Sequence, residues 1–271
     1  MTEPSFNDPS TLRFGIFIAV LLLCAVWEHC RPRKALTVSK TVRWFNNLTL
    51  VALNGLLIAL LLPLTAFEAA KMAQDQQMGI FHQLSLPIWA NVLLSVIALD
   101  LIIYLQHLLF HRLPWLWRLH RMHHADLDID VTTGTRFHPI EILLSMLIKI
   151  GSVFALGVSP LAIVAFEIIL NASAMFNHSN AKLPLRLDAV MRKVIVTPDM
   201  HRVHHSVIAR ETHSNFGFFL SLWDRVFRTY VAQPKLGHQR VQIGVPEIRK
   251  AREQWLDKML TQPFRYQTKR Q

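Results

Sequence analysis

Charge and cysteine are what this sequence has least of. Only 17% of its 271 residues are charged, against about a quarter in ordinary soluble domains. In their place 52% are hydrophobic, gathered into runs rather than spread. That composition excludes a typical soluble globular chain and predicts an integral membrane protein. Two cysteines, Cys24 and Cys30, exclude a disulfide framework and a cysteine-rich metal site. Cys24 lies inside an apolar run and reads as packing. The opening MTEPSFNDPSTLRFG lacks the basic flank and small-residue cleavage site of a secretory signal, so the first apolar run is expected to remain as a span. There is no low-complexity tract.

The apolar runs set the expected architecture. Residues 12–27, 48–66 and 86–106 approach or reach the roughly 17–25 residues that a bilayer-crossing helix needs. Residues 67–85 between them are polar enough to predict a loop with a surface turn. Residues 140–176 form a further apolar stretch broken at GVSP, which allows two thin spans or a hairpin dipping into the bilayer; a hairpin whose two ends return to the side of the histidines is expected. From Asn177 onward the chain is polar and predicts a soluble cap. Within it, PEIRKAREQWLDKML (246–260) predicts a helix with Pro246 in its first turn and Ile248, Ala251, Trp255 and Met259 on one stripe.

The net charge of +11 favours anionic lipid rather than nucleic acid as the partner of so greasy a chain. Lys and Arg number one each in segments 1–13 and 67–86, against five in 28–47, four in 111–139 and seventeen in 182–271. Under the positive-inside rule, three spans and a returning hairpin place every basic segment in the cytoplasm. The expected location is an inner or plasma membrane, with the carboxy-terminal cap cytoplasmic.

Against this background the fourteen histidines stand out by their spacing. HRMHH at 120–124 is echoed by HRVHH at 201–205. His107 and His111 are four apart, so both rings leave one helical face. His120, His123 and His124 have i, i+3, i+4 spacing, and His201, His204 and His205 repeat it. Thr197 is placed to cap that last helix, with Pro198 in its first position. His178 falls where the hairpin ends. At about 1.5 Å per residue the third span delivers His107 to the membrane boundary, and the hairpin returns His178 to the same level.

Nine imidazoles at one level predict metal, and two ions rather than one, since one ion takes about four to six ligands. Arg121 and Arg202, about 100° round their helices from the adjacent histidine, are expected to reach lipid phosphates. His29, His82 and His238 read as surface or internally satisfied residues. Imidazole suits iron, zinc, copper and nickel alike, so the spacing alone does not name the metal. A non-catalytic metal- or haem-binding membrane protein remains the alternative at this point.

The blocks DLIIYLQHLLFHRLPWLWRLHRMHH, RFHPIE, FNHSN, TPDMHRVHHS and NFGFFLSLWDRVF resemble the fatty acid hydroxylase / sterol desaturase superfamily of membrane di-iron oxygenases. The resemblance runs from about residue 98 to 230. It implies an all-α integral membrane protein with a histidine-lined di-metal site under a cytoplasmic helical cap. Residues 1–97 would be amino-terminal spans, 98–230 the catalytic domain and 231–271 a carboxy-terminal amphipathic tail. The resemblance further implies two iron ions, with zinc as a substituted metal, and O2 as co-substrate in the hydroxylation or desaturation of a lipid.

By position the ligands would be His107, His111, His120, His123, His124, His178, His201, His204 and His205. Asp100, His138, Glu141, His213 and Asn215 would support them. Three departures stand out. Ala174 occupies a position four before His178 where the hydroxylase branch carries another histidine, so that either one metal would lack a ligand or His138 or a water would substitute. Arg228 stands where relatives often have glycine. No haem, flavin or ferredoxin motif is present, so electrons would come from a separate carrier protein.

Overall fold

In the computed structural model, residues 9–265 are described, and among them every named element is helical. Five helices are long and apolar enough to cross a membrane. They are α1 (Ser10–Cys30), α2 (Lys40–Leu61), α4 (Ile88–Arg112), α6 (Pro139–Leu156) and α7 (Pro160–His178). Their outer surfaces carry exposed Leu23, Leu60, Trp89 and Leu147, the faces that such a helix turns to lipid.

The second span starts earlier than its apolar run. Ser39 caps α2 by accepting from the Val42 amide, and Arg43, Asn46 and Asn47 of the first two turns are buried against the cap rather than set in lipid. The 140–176 stretch is the expected hairpin. Pro139 and Pro160 open its helices at N1, where the missing amide costs nothing. Gly157 closes α6 in a left-handed conformation, and a Cβ there would strike the backbone of residues 78–79.

The expected loop at 67–85 is corrected. It contains a short helix, α3 (Ala66–Asp75), started by a reciprocal capping box between Thr65 and Glu68. Ala66, Ala69, Ala70 and Ala73 form a buried small-residue face, the first three of them clustered with Val153, Ala162 and Phe166 of the hairpin. Small side chains at i, i+3, i+4 and i+7 let the backbones approach closely, so a segment that reads as polar still buries one stripe.

The carboxy-terminal helix is corrected too. Its regular part is Leu256–Arg265, preceded by a 3-10 turn at Ala251–Gln254. Residues 241–248 instead run across the cap, with Ser206 and Ile243 paired in a β-bridge. Ile248 and Met259 are buried in separate clusters while Trp255 is exposed, so the four residues share no stripe.

Candidate metal centre

Four elements deliver the nine histidines. α4 ends in His107 and His111, and α5 (Pro114–His124) carries the first triple. α7 ends in His178; after the short α8 (Leu185–Met191), α9 (Pro198–His204), capped by Thr197 with Pro198 at N1 as expected, carries His201 and His204, with His205 as its C-cap. All nine rings are buried. They fall into two groups whose ligand atoms lie within 4.8 Å of one another: His107, His111, His120, His124 and His204, and His123, His178, His201 and His205.

The grouping exchanges members between the triples. His120 and His124, at i and i+4, stay together, as do His201 and His205. The i+3 histidine of each triple, His123 or His204, joins the other group. On a helix, i and i+4 are about 40° apart, whereas i+3 lies about 60° to the other side of i. Two short helices facing one another can therefore share their rings between two centres.

Hydrogen bonds fix which nitrogen is free. The Nδ1–H groups of His107, His178, His204 and His123 donate to the carbonyls of Phe216 (2.7 Å), Ala174 (2.7 Å), Ser214 (2.6 Å) and Arg136 (3.2 Å). That of His120 donates to Glu141 Oε1 at 2.6 Å. A carbonyl only accepts, so each of those rings keeps its proton on Nδ1 and presents a bare Nε2.

The Nε2 atoms converge. The bare Nε2 of His178 lies 3.1 Å from that of His123, and His107 Nε2 lies 3.0 Å from His120 Nε2. Nε2 of His201 and His205, whose Nδ1 atoms have no hydrogen-bond partner among the described residues, approach His178 Nε2 to 3.0 and 3.1 Å. Facing lone pairs repel unless a cation lies among them. His111 Nε2, His204 Nε2 and both nitrogens of His124 have no hydrogen-bond partner, although they are buried. The donor set thus fits a pair of imidazole-bound divalent metals and suits little else. Burial pushes His120 down to about 3 and His123, His124, His201, His204 and His205 well below their ordinary range. All six are neutral near pH 7, the form that binds metal.

The supporting residues divide. Glu141 bonds the His120 ring directly. His213 Nδ1 lies 3.2 Å from His111 Nδ1, at the edge of the five-histidine group. Asn215 adopts φ 51°, a left-handed conformation that asparagine tolerates. Its side chain donates to the carbonyls of Met200 and Val231 and accepts from the Val231 amide, tying α9 to the following segment. Asp100 accepts from Trp223 Nε1 (2.8 Å) and Leu220 N (3.2 Å), so its named bonds reach the segment that supplies the Phe216 carbonyl. His138 caps α6, bonding Ile140 N and Leu260 O. It belongs to neither histidine group, so it does not substitute for a ligand at Ala174.

Arg121 and Arg202 are corrected: both are buried. Arg202 Nη1 donates to Asn180 Oδ1 at 3.3 Å. The packed cap leaves neither of them a path to lipid. His29 is exposed and His82 half-buried; His238 Nε2 bonds Gln233 Oε1 at 2.8 Å, while His238 Nδ1 and His82 Nε2 have no hydrogen-bond partner among the described residues.

The sequence reading missed the brace beneath the first triple. Asp126 and Asp130, in the run DLDID, both bind the fully buried Arg43 of α2, Asp126 bidentately at 2.7 and 2.8 Å. Arg136 donates from Nε to Met122 O and from Nη1 to Asn47 Oδ1. The carbonyl of the same Arg136 holds His123. Three acids in five residues of a strongly basic chain were the available signal. Asp224 was missed as well: it accepts from the amides of Phe216 and Gly217 and so shapes the loop that orients His107.

A cavity of about 600 Å3 lies between the membrane helices. His107, His120 and Glu141 are among its lining residues, and Ile103, Phe110, Phe137, Ile142, Met146 and Phe218 are among its apolar walls. Phe137 stacks on His123 with ring centroids 4.5 Å apart.

This geometry agrees with comparison to known proteins. Over 240 residues the chain is 26% identical to the ornithine lipid hydroxylase OlsE of Rhizobium tropici, covering 84% of this chain and 70% of the relative. It is 27% identical to the alkylglycerol monooxygenase of Xenopus tropicalis over 52% of this chain and 30% of that protein. It is 26% identical to the cholesterol 25-hydroxylase of Rattus norvegicus over 54% of this chain and 48% of that one. No solved structure matches. The fatty acid hydroxylase family model matches residues 92–229, half of the chain and all nine clustered histidines, and the protein belongs to that family.

Proposed function

We propose that this membrane oxidoreductase uses O2 and a bound iron pair to hydroxylate or desaturate an alkyl carbon of a lipid. The observation that carries the reading is the cavity. It is apolar for most of its walls, lies between membrane helices, and is lined in part by the imidazoles of His107 and His120. The relatives are named as an ornithine lipid hydroxylase, an alkylglycerol monooxygenase and a cholesterol 25-hydroxylase, which supports a lipid substrate.

The two histidine groups would each hold one ion, and an iron pair supplies the dioxygen activation and oxidising power that an unactivated C–H bond demands. The chain's own residues do the rest. Carbonyls and Glu141 hold Nδ1 protons so that the free Nε2 atoms point inward. Phe110, Phe137 and Phe218 keep water from the cavity. The alkyl chain is gripped by the apolar walls, which fixes the carbon presented to the site.

Electrons would arrive from a separate carrier docking on the cytoplasmic cap. The excess of Lys and Arg in segments 28–47, 111–139 and 182–271 supports that orientation in an inner or plasma membrane. Metal content per chain in gently purified protein, with lipid extracts of cells carrying and lacking the gene, tests the proposal. About two irons and one altered lipid species are expected. Folded protein with no metal, or a Soret band, would overturn it.

A further inference from the structure

Three ionisable side chains meet away from the histidines, inside the membrane helices. Glu167 of α7 accepts from Lys149 Nζ of α6 at 3.0 Å through Oε1, and from Arg13 Nη1 of α1 through Oε2. Lys149 and Glu167 side chains are each 10% exposed, and Arg13 is 26% exposed. All three line the same cavity as His107 and His120. Charges at this depth are costly and are rarely kept without a use.

Their charges do not balance. One carboxylate faces two cations, so the cluster carries a net positive charge. Both oxygens of Glu167 are taken, and no second acid neutralises the surplus: among the described residues, neither Arg13 nor Lys149 meets another carboxylate. An ammonium has three donors and a guanidinium five, so the two cations can offer further hydrogen bonds to an acceptor with negative charge. A plain structural ion pair would need only one of the two cations.

The cluster also lies at a useful distance. Lys149 is two turns along α6 from Glu141, which holds His120. That is about 12 Å along the helix axis, the length of an extended chain of roughly ten carbons.

We infer that Arg13, Lys149 and Glu167 form a head-group site for an anionic amphiphile, whose carboxylate or phosphate binds the two cations while its alkyl chain runs to the histidines. This rests on the lipid-cavity reading above and narrows its substrate class. Asn171, whose side chain donates to the Glu167 carbonyl at 2.8 Å, lines the cavity beside the cluster. The anion would complete a site of balanced charge, and the head group would then set which carbon reaches the metal centre.

The test is binding, measured apart from turnover. Metal-loaded protein in detergent is titrated with palmitate, hexadecyl phosphate, hexadecanol and hexadecyltrimethylammonium. At least one of the two anions is expected to bind about ten-fold or more tightly than the alcohol, and the cation least of all. Preference for palmitate would assign a carboxylate, and preference for hexadecyl phosphate a phosphate head group. Lys149→Met and Arg13→Gln should each erase the anion's advantage while leaving hexadecanol binding and metal content unchanged. Glu167→Gln should enlarge it, which keeps the test decisive if one neutralising variant fails to fold. Equal binding of anions and alcohol, or an anion preference surviving both neutralisations, would overturn the head-group site alone. Failure of every amphiphile to bind would overturn the lipid-cavity reading with it.

Discussion

His123 and His124 are neighbours in sequence, yet their rings stand perpendicular, at 90° with centroids 5.3 Å apart, and enter different histidine groups. Removing His123 leaves the four-histidine group with three members; removing His124 leaves the five-histidine group with four. His123→Ala is therefore expected to lose about one metal per chain, and His124→Ala to keep both ions with weaker retention. Elemental analysis of the two variants after the same chelator wash separates these outcomes. Equal losses would contradict the division into two centres.

Glu141 holds His120 through a 2.6 Å bond to Nδ1. Glu141→Ala leaves that N–H without its acceptor, and metal affinity should fall about 10–100-fold. Glu141→Gln keeps an oxygen there and should fall less. Competition against a graded series of chelators measures both, and an unchanged Glu141→Ala would show that the carboxylate only fills space.

Acid should destabilise the metal-stripped protein. Burial keeps His120 near about 3 and the other five cap histidines well below 6.5 when folded, but unfolding returns them to about 6.5. Below that value the unfolded chain binds more protons than the folded one, so stability is full above about pH 6.5 and falls progressively toward pH 3. Each such histidine contributes a slope of up to about 1.4 kcal/mol per pH unit. Melting midpoints of stripped protein at about pH 7.5 and pH 5 check the sign; a midpoint that rises on acidification would contradict it.

Arg43 neutralises Asp126 and Asp130 in a pocket without solvent access. Arg43→Met strands two buried carboxylates and should cost about 3–5 kcal/mol. Arg43→Lys cannot reproduce the two-pronged contact with Asp126 and should recover only part of that loss. Thermal melts in detergent rank the three proteins, and the expected order is wild type, Arg43→Lys, Arg43→Met.

Arg228 sits at φ 58°, just past the helix Leu222–Val226. A side chain there costs about 1 kcal/mol relative to glycine. Arg228→Gly should therefore raise the melting midpoint by a few degrees. A lower midpoint would mean that the guanidinium contributes more than the backbone strain removes.

The spans, the hairpin and the set of clustered histidines were legible in the chain alone. Those depend on local periods: apolar runs long enough for a bilayer, breakers at GVSP, and imidazoles repeated at i, i+3 and i+4 on short helices. How nine rings divide into five and four was not legible. The triples read as single faces, and only the approach of α5 to α9 decides that His123 and His204 cross to the opposite group. The Arg43–Asp126–Asp130 brace, the burial of Arg121 and Arg202, and the alanine face of α3 escaped for the same reason. Each is a pairing between segments far apart in the chain, and a charged or polar residue looks solvent-facing until its partner is in place. The cluster of Arg13, Lys149 and Glu167 is the plainest case: three isolated charges from separate helices, brought together only when α1 packs against the hairpin.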